Sequence, residues 1–473
     1  MTVMTNEDVL FAGLVAQVAL LDRGELSSET LVDLQISQVG QHNAKLNAFV
    51  HLGIDRVLEQ ARAMDMLRRS GTVLGPLHGV PIAIKDLFDV QGMPTTGGSK
   101  SLPPRMASRS AGAVRKLEQA GAIIMGKTQT VEFAFGGWGT NAVMGTPWNP
   151  WNMTTHYVPG GSSSGSAVAV ASGMVGGALG TDTGGSVRIP AGLCGLTGLK
   201  TSPGLVSRHG LMALCPTHDS VGPIARTAAD CALLFDVIGG PDPADSNTWS
   251  ARHPDTRAGL NRSIKGMRFW AFPEAEQGHA SANQLQACLD TERLLTDLGM
   301  QAFHKPLPFS CETVMKVAGQ LMSAEAYASL GEIVERDDLL FDPTIRRRIL
   351  TGKTIMSATY LNLMAQRSAL VIAMHEALAT VDFLIFPTNA IAAIPVDMVD
   401  ENSYPLSIYG RFVNLMDLCA LAIPAGFDAN GMPLSVQLIA SKGREATILA
   451  VGHAIQANTQ WHLKRPDGLR APS

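Results

Sequence analysis

Residues 160-GGSSSGSAVAVASGMVGGALGTDTGGSVRIP-190 set two glycine-flanked serine clusters on either side of a segment rich in Ala, Val and Gly. The intervening segment is compatible with a helix, although residues 168–170 also read as one of the short apolar runs that build buried strands. Similar runs recur outward from it, at 80–84 and 122–125 upstream and 221–224 downstream, separated by glycine and proline. Helical patterns such as 111–120 lie between them. Strands alternating with helices predict an α/β layered fold.

Residues 5–70 read as helices, one beginning after Ser27 and Ser28 and another over 54–69 that stops at Gly71. The apolar stretch 10–21 follows Glu7 and Asp8, has no basic flank, and reads as a helix and not a signal peptide. Residues 240–265 form a polar loop or sub-domain boundary. Beyond it, strand–helix alternation returns, with a long helix over 311–335 and buried strands at 382–387 and 434–439. No repeat and no long linker divides the chain, so the expectation is one domain over 1–473, a mixed central sheet surrounded by helices. Its parts are N-terminal helices (1–70), a core (71–240), a variable substrate-side region (241–410) and a C-terminal return to the core (411–473).

The 473 residues are 46% hydrophobic and 16% charged, with a net charge of −4. That suffices for a large core and offers no basic surface for nucleic acid. The six cysteines form no C-x-x-C pair and read as buried thiols of a reducing compartment. The most apolar later stretch, 167–180, is too short and glycine-rich to span a bilayer. The expectation is a soluble, cytoplasmic protein without a membrane partner.

Chemistry concentrates in three segments. In 79-GVPIAIKD-86, Lys85 ends an apolar run. It is either a snorkelling lysine paired with Asp86 or a desolvated amine able to accept a proton near neutral pH. The cluster 160-GGSSSGS-166 is either a turn or a source of reactive hydroxyls. In 180-GTDTGGSVRIP-190 the glycines let successive N–H groups converge on one point, as an oxyanion produced by Ser186 attack would require. One lysine and two serines satisfy a nucleophile–relay–base arrangement without histidine.

These motifs, in this order and followed by CGLTGLKTSPGLVSRHG at 194–210, resemble those of the amidase signature family, most densely over 74–236. The resemblance implies a single α/β amidase signature fold, with Ser186 as nucleophile, Ser162 as a relay carrying a cis peptide bond, and Lys85 as base. It implies an oxyanion hole of the N–H groups of Thr183, Gly184, Gly185 and Ser186. It makes Asp182 and Arg188 braces of the turn and Ser163 an auxiliary serine. It implies no metal and no organic cofactor, and it admits a homodimer. Ser164 departs from the glycine common at its position and could add a hydroxyl to the network.

The implied activity is cleavage of C–N bonds in small aliphatic or aryl amides or anilides through an acyl-enzyme, with carbamates (a urethanase activity) as a further option. The A subunit of a glutamine amidotransferase shares the same triad and is an alternative. The segment 410-GRFVNLMDLCALAIPAGF-427 looks closer to allophanate hydrolases, which adds urea derivatives. By family analogy the loop 135-FGGWGTN-141 borders the acyl pocket, making Phe135, Gly136, Gly137 and Trp138 substrate-binding candidates. Met315, Leu321 and Met322 are lining or core residues; no arginine stands out as one to fix a substrate carboxylate, and an uncharged pocket would favour the amides, anilides or carbamates named above.

Two motifs compete. Residues 121-GAIIMGKT-128 fit a phosphate loop, but the residues that should form its cradle are themselves an apolar strand pattern. Residues 161-GSSSG-165 fit a nucleophile elbow, but the preceding 151–159 is polar and ends in proline. His209 and His218 follow the serines and read as loop or surface histidines.

Overall fold

The computed structural model describes residues 4–103 and 105–469. Thirteen strands are present among them: β1 Phe49–Leu52, β2 Pro81–Lys85, β3 Pro94–Thr95, β4 Arg105–Met106, β5 Ile123–Thr128, β6 Gly177–Asp182, β7 Thr197–Lys200, β8 Ser220–Ala225, β9 Arg268–Trp270, β10 Gln301–Phe303, β11 Phe383–Pro387, β12 Cys419–Phe427 and β13 Pro433–Ala440. Eleven form one mixed sheet in the order β1-β5-β2-β6-β8-β7-β12-β13-β11-β9-β10, and β3 and β4 pair separately. The chain is thus a single α/β domain with a large mixed sheet covered by helices, as expected.

The central strands are buried along their whole length, which explains their continuous apolar or glycine-rich runs. β2 lies parallel to both β5 and β6, with Ile84 opposite Leu179, whereas β6 pairs antiparallel with β8. The carboxyl ends of β2 and β6 therefore open side by side. This is where loops of a parallel α/β sheet diverge and leave a crevice.

Three readings need correction. Residues 168–170 are not a strand: of the two readings of this stretch the helix holds, as Ser164–Ala171; every residue of it is buried, and its small side chains let it pack close to the sheet. The apolar stretch 10–21 is two helices, Asn6–Phe11 and Leu14–Asp22. Gly13 between them has φ 83°, and the Asp230 carboxylate accepts the Val15 N–H at 2.8 Å, capping the second helix. The N-terminal region is also not all helix. Residues 49–52 add β1 antiparallel to the edge of β5.

The long helix Cys311–Val334 and the shorter Pro343–Thr351 pack together over the crevice. Phe133, Phe135, Met322, Ala326, Ile345 and Ile349 form a separate apolar cluster joining them to the 131–135 loop. The six cysteines are buried and free. Among the described residues no helix is long and apolar enough to cross a membrane.

Lys127 of the phosphate-loop pattern lies inside β5 and is fully buried. Its ammonium donates to Asp86 at 2.7 Å, to the Pro94 carbonyl at 2.9 Å and to Thr95 Oγ1 at 3.0 Å. The pattern is a buried strand and not a phosphate cradle, and Asp86 is the partner of Lys127 instead of Lys85.

A Cβ at Gly126 of β5 would stand 2.2 Å from the His51 carbonyl oxygen of β1. Gly126→Ala therefore forces β1 away from the sheet edge. A loss of about 1–3 kcal/mol in unfolding free energy is expected, measured by urea denaturation against the wild type.

Candidate active site

Lys85 ends β2 with its side chain fully buried. Its ammonium nitrogen lies 2.7 Å from Ser162 Oγ and 2.7 Å from Thr181 Oγ1, the latter one residue before the end of β6. Burial pushes the Lys85 pKa down to about 7, against the opposing pull of the Asp182 and Asp219 charges. Of the two readings of this lysine, the desolvated amine fits and the snorkelling one does not.

The Gly161–Ser162 peptide bond is cis. The Ser162 carbonyl accepts from Thr130 Oγ1 at 2.9 Å and from the Val131 N–H at 3.2 Å, which fixes the serine over the ends of β5 and β2. The next residue ties this turn to the second cluster, because the Ser163 N–H donates to the Ser186 carbonyl at 3.1 Å. Ser163 Oγ sits 3.3 Å from both the N–H and the carbonyl of Thr181. Ser164 Oγ faces the Gln129 carbonyl at 3.5 Å, so its extra hydroxyl turns toward backbone and does not join the Lys85 network.

The second turn is shaped by one carboxylate. Asp182 accepts the N–H groups of Gly185 at 2.7 Å, Val187 at 3.1 Å and Arg188 at 3.4 Å. It also receives Arg188 Nε and Nη2, each at 3.0 Å. Both side chains are buried. Burial alone would raise the Asp182 pKa, but the Arg188 charge and its hydrogen bonds hold it at about 2. Arg188 in turn reaches Gln437 Oε1 at 2.8 Å, Asn414 Oδ1 at 2.7 Å and the Gly410 carbonyl at 3.1 Å. Because the Gly185 amide is committed to Asp182, the amides left without a hydrogen bond in this turn are those of Thr183, Gly184 and Ser186.

The Ser186 hydroxyl has no hydrogen-bond partner among the described residues, and the residue is 8% exposed. It faces a cavity of about 610 Å³ that Gly184 also lines. Phe135, Gly136, Gly137 and Trp138 line the same cavity, as do Met315 and Met322, whereas Leu321 belongs to the core. His209 is exposed. His218 lies in a turn before β8, as a loop residue, but it is not on the surface: it is buried beside Cys215 Sγ at 3.4 Å, and burial lowers its pKa to about 3. It is a neutral core residue. No strand precedes 161–165, so these residues do not form a nucleophile elbow.

Sequence reasoning missed several residues. Thr181 stands inside the quoted motif, but only the parallel pairing of β2 with β6 brings it to Lys85. Asp219, which accepts from Thr183 Oγ1 at 2.5 Å, comes from the loop before β8. Burial raises its pKa to about 6 despite that hydrogen bond. Arg348, Tyr404 and Arg411 line the cavity, so the pocket is charged and holds arginines that did not stand out in the sequence. The signal available was one arginine at the head of the apolar segment 410–427.

This sheet, this paired lysine and serine, and this glycine-rich turn bring an unbonded Ser186 hydroxyl and unbonded backbone N–H groups to one end of β2 and β6. The Amidase family profile matches residues 30–449, and the chain belongs to the amidase signature family. It is 36% identical over 478 residues to the A subunit of the glutamyl-tRNA(Gln) amidotransferase of Chloroflexus aurantiacus, with 95% of this chain and 97% of that protein covered. A crystal structure of an amidase superposes with a TM-score of 0.84 at 30% identity, covering 94% of this chain and 99% of the other. The peptide amidase of Stenotrophomonas maltophilia superposes with a TM-score of 0.82 at 25% identity, covering 98% and 99%.

Removing the Asp182 charge would leave Arg188 buried without a counter-ion. Asp182→Asn is expected to lose about 3–5 kcal/mol of stability, measured as the shift of the urea unfolding midpoint at constant slope.

Proposed function

We propose that this chain hydrolyses small amides by nucleophilic attack of Ser186, with Ser162 as proton relay and Lys85 as base. The observation that carries this reading is the pairing of a near-neutral buried lysine with Ser162, next to a Ser186 hydroxyl that is unbonded and open to the cavity. Neutral Lys85 takes the Ser162 proton while Ser162 takes that of Ser186, whose oxygen attacks the carbonyl carbon. The oxyanion is held by the free amides of the 183–186 turn; one such donor is worth roughly 100- to 1000-fold in rate. Ser162 then returns a proton to the departing nitrogen, and water releases the acyl group by the same relay. Thr181 holds the lysine nitrogen in place throughout. Neither the cavity nor the named relatives favour a carbamate, so the reading is confined to amides.

By sequence likeness the amidotransferase reading has the stronger support, since the curated relatives carry that name. The cavity speaks for the free amidase. Free glutamine carries an α-ammonium as well as a carboxylate, and no Asp or Glu is among the residues described as lining the cavity. Turnover of simple amides by the isolated chain, exceeding its turnover of glutamine, separates the two. The reverse order would favour the amidotransferase.

Ser186→Ala is expected to lower kcat/KM by roughly 10^4- to 10^6-fold. Wild-type protein, but not the variant, should transfer its acyl group to added hydroxylamine, detected as hydroxamate. Retained turnover in the variant would remove Ser186 from the reaction.

The base must be neutral, so kcat/KM should fall by about tenfold per pH unit below an apparent pKa of about 7. The Asp219 charge holds this pKa up, and Asp219→Asn should move the acid limb to lower pH. A limb that stays in place would detach Lys85 from the rate.

A further inference from the structure

The cavity in front of Ser186 has an unbalanced charge. Its ionisable lining consists of Lys316, Arg348 and Arg411, together with Tyr404. Two of the three cations are already neutralised. Lys316 is largely exposed at the rim and pairs with Glu312 at 2.8 Å on its own helix. Arg348 donates to the Glu401 carboxylate at 3.1 Å, to the Glu401 carbonyl at 2.6 Å and to the Phe135 carbonyl at 3.0 Å.

Among the described residues Arg411 has no carboxylate partner. There its side chain makes one hydrogen bond, from Nη1 to the Met315 carbonyl at 3.3 Å, and its guanidinium carbon lies 5.1 Å from the centre of the Tyr404 ring. Arg348 approaches the same ring at 5.2 Å, so the aromatic ring spaces the two like charges. Burial lowers the Arg411 pKa only to about 10, which leaves it charged at neutral pH. The guanidinium lines the cavity with donors beyond the one given to Met315, so these are available to a ligand there.

Its position gives it a purpose. A Cβ at Gly184 would stand 3.1 Å from Arg411 Cγ, so the stem of the arginine packs on the turn that carries Ser186. A Cβ at Gly319 would stand 3.1 Å from Nη1, so the absent side chain makes room for the guanidinium. The fork is held beside the reacting serine by two glycines. Charge-assisted, bidentate pairing with a planar anion is what such a fork does best.

We infer that Arg411 is a specificity-determining residue that binds a carboxylate on the substrate, so that the preferred substrates are small amides carrying a free carboxylate a few bonds from the scissile carbonyl. This rests on the Ser186 reading for its chemistry and on the cavity charge for its selectivity. Lys316 and Arg348 add a favourable field, but each is already paired with a carboxylate, and among the described lining residues Arg411 is the cation without one.

The test uses the full chain with malonamate, succinamate and glutaramate, each set against the neutral amide of equal length (propanamide, butanamide and pentanamide). At least one charged amide should be preferred in kcat/KM. Arg411→Met should reduce that preference by roughly 10- to 100-fold, mainly through KM. Arg411→Lys, which keeps charge but not the fork, should restore part of it. Preference for the neutral amide in all three pairs, or a preference untouched by Arg411→Met, overturns the inference. Calorimetric binding separates it from the catalytic reading. Ser186→Ala protein should still bind at least one of the three carboxylate amides, and adding Arg411→Met should weaken that binding by the same factor. If all three bind the two proteins equally, or none binds, Arg411 is not the anchor, whatever the fate of Ser186.

Discussion

The buried pair of Asp182 and Arg188 is the interaction on which the site depends. A lone carboxylate at the end of a sealed strand would be uncharged or absent. Paired in a fork with Arg188, it stays ionised, and its charge does two things. It gathers the N–H groups of Gly185, Val187 and Arg188, which bends the chain so that the neighbouring amides of Gly184 and Ser186 remain unbonded. It also sits close enough to Lys85 to limit how far burial can lower that pKa. Stronger opposition would keep the lysine charged, and none would leave it a weaker base. The value near neutrality is the balance of these two effects.

Much of this was legible in the sequence. Lys85, Ser162, Ser163, Asp182, Ser186 and Arg188 stand in short motifs where glycine and reactive side chains coincide, and the structure gathers all six at the ends of β2 and β6. The strands were readable because buried central strands are continuous apolar runs. The errors have physical sources. Residues 168–170 look like a strand because a helix enclosed on all sides shows no polar face, so periodicity cannot mark it. The break at Gly13 depends on Asp230, more than two hundred residues away. The contacts of Lys85 with Thr181 and of Asp86 with Lys127 were likewise hidden, because they are set by pairing across the sheet.

The cavity was the least legible part. Its charge comes from helices and loops that pack around the sheet, and no local pattern distinguishes a lining arginine from a surface one. Only the packing of the 131–135 loop against the helices Cys311–Val334 and Pro343–Thr351 turns Arg348 inward.

Arg188 finds its remaining acceptors on Gln437, Asn414 and the Gly410 carbonyl, between 222 and 249 residues further along the chain. During synthesis the glycine-rich turn thus emerges from the ribosome long before the groups that complete it. Until then the guanidinium has Asp182 alone, and the cavity has no far wall. The turn at 182–188 is consequently completed late, and a nascent chain that stalls early carries Asp182 and Arg188 without the acceptors that finish their network.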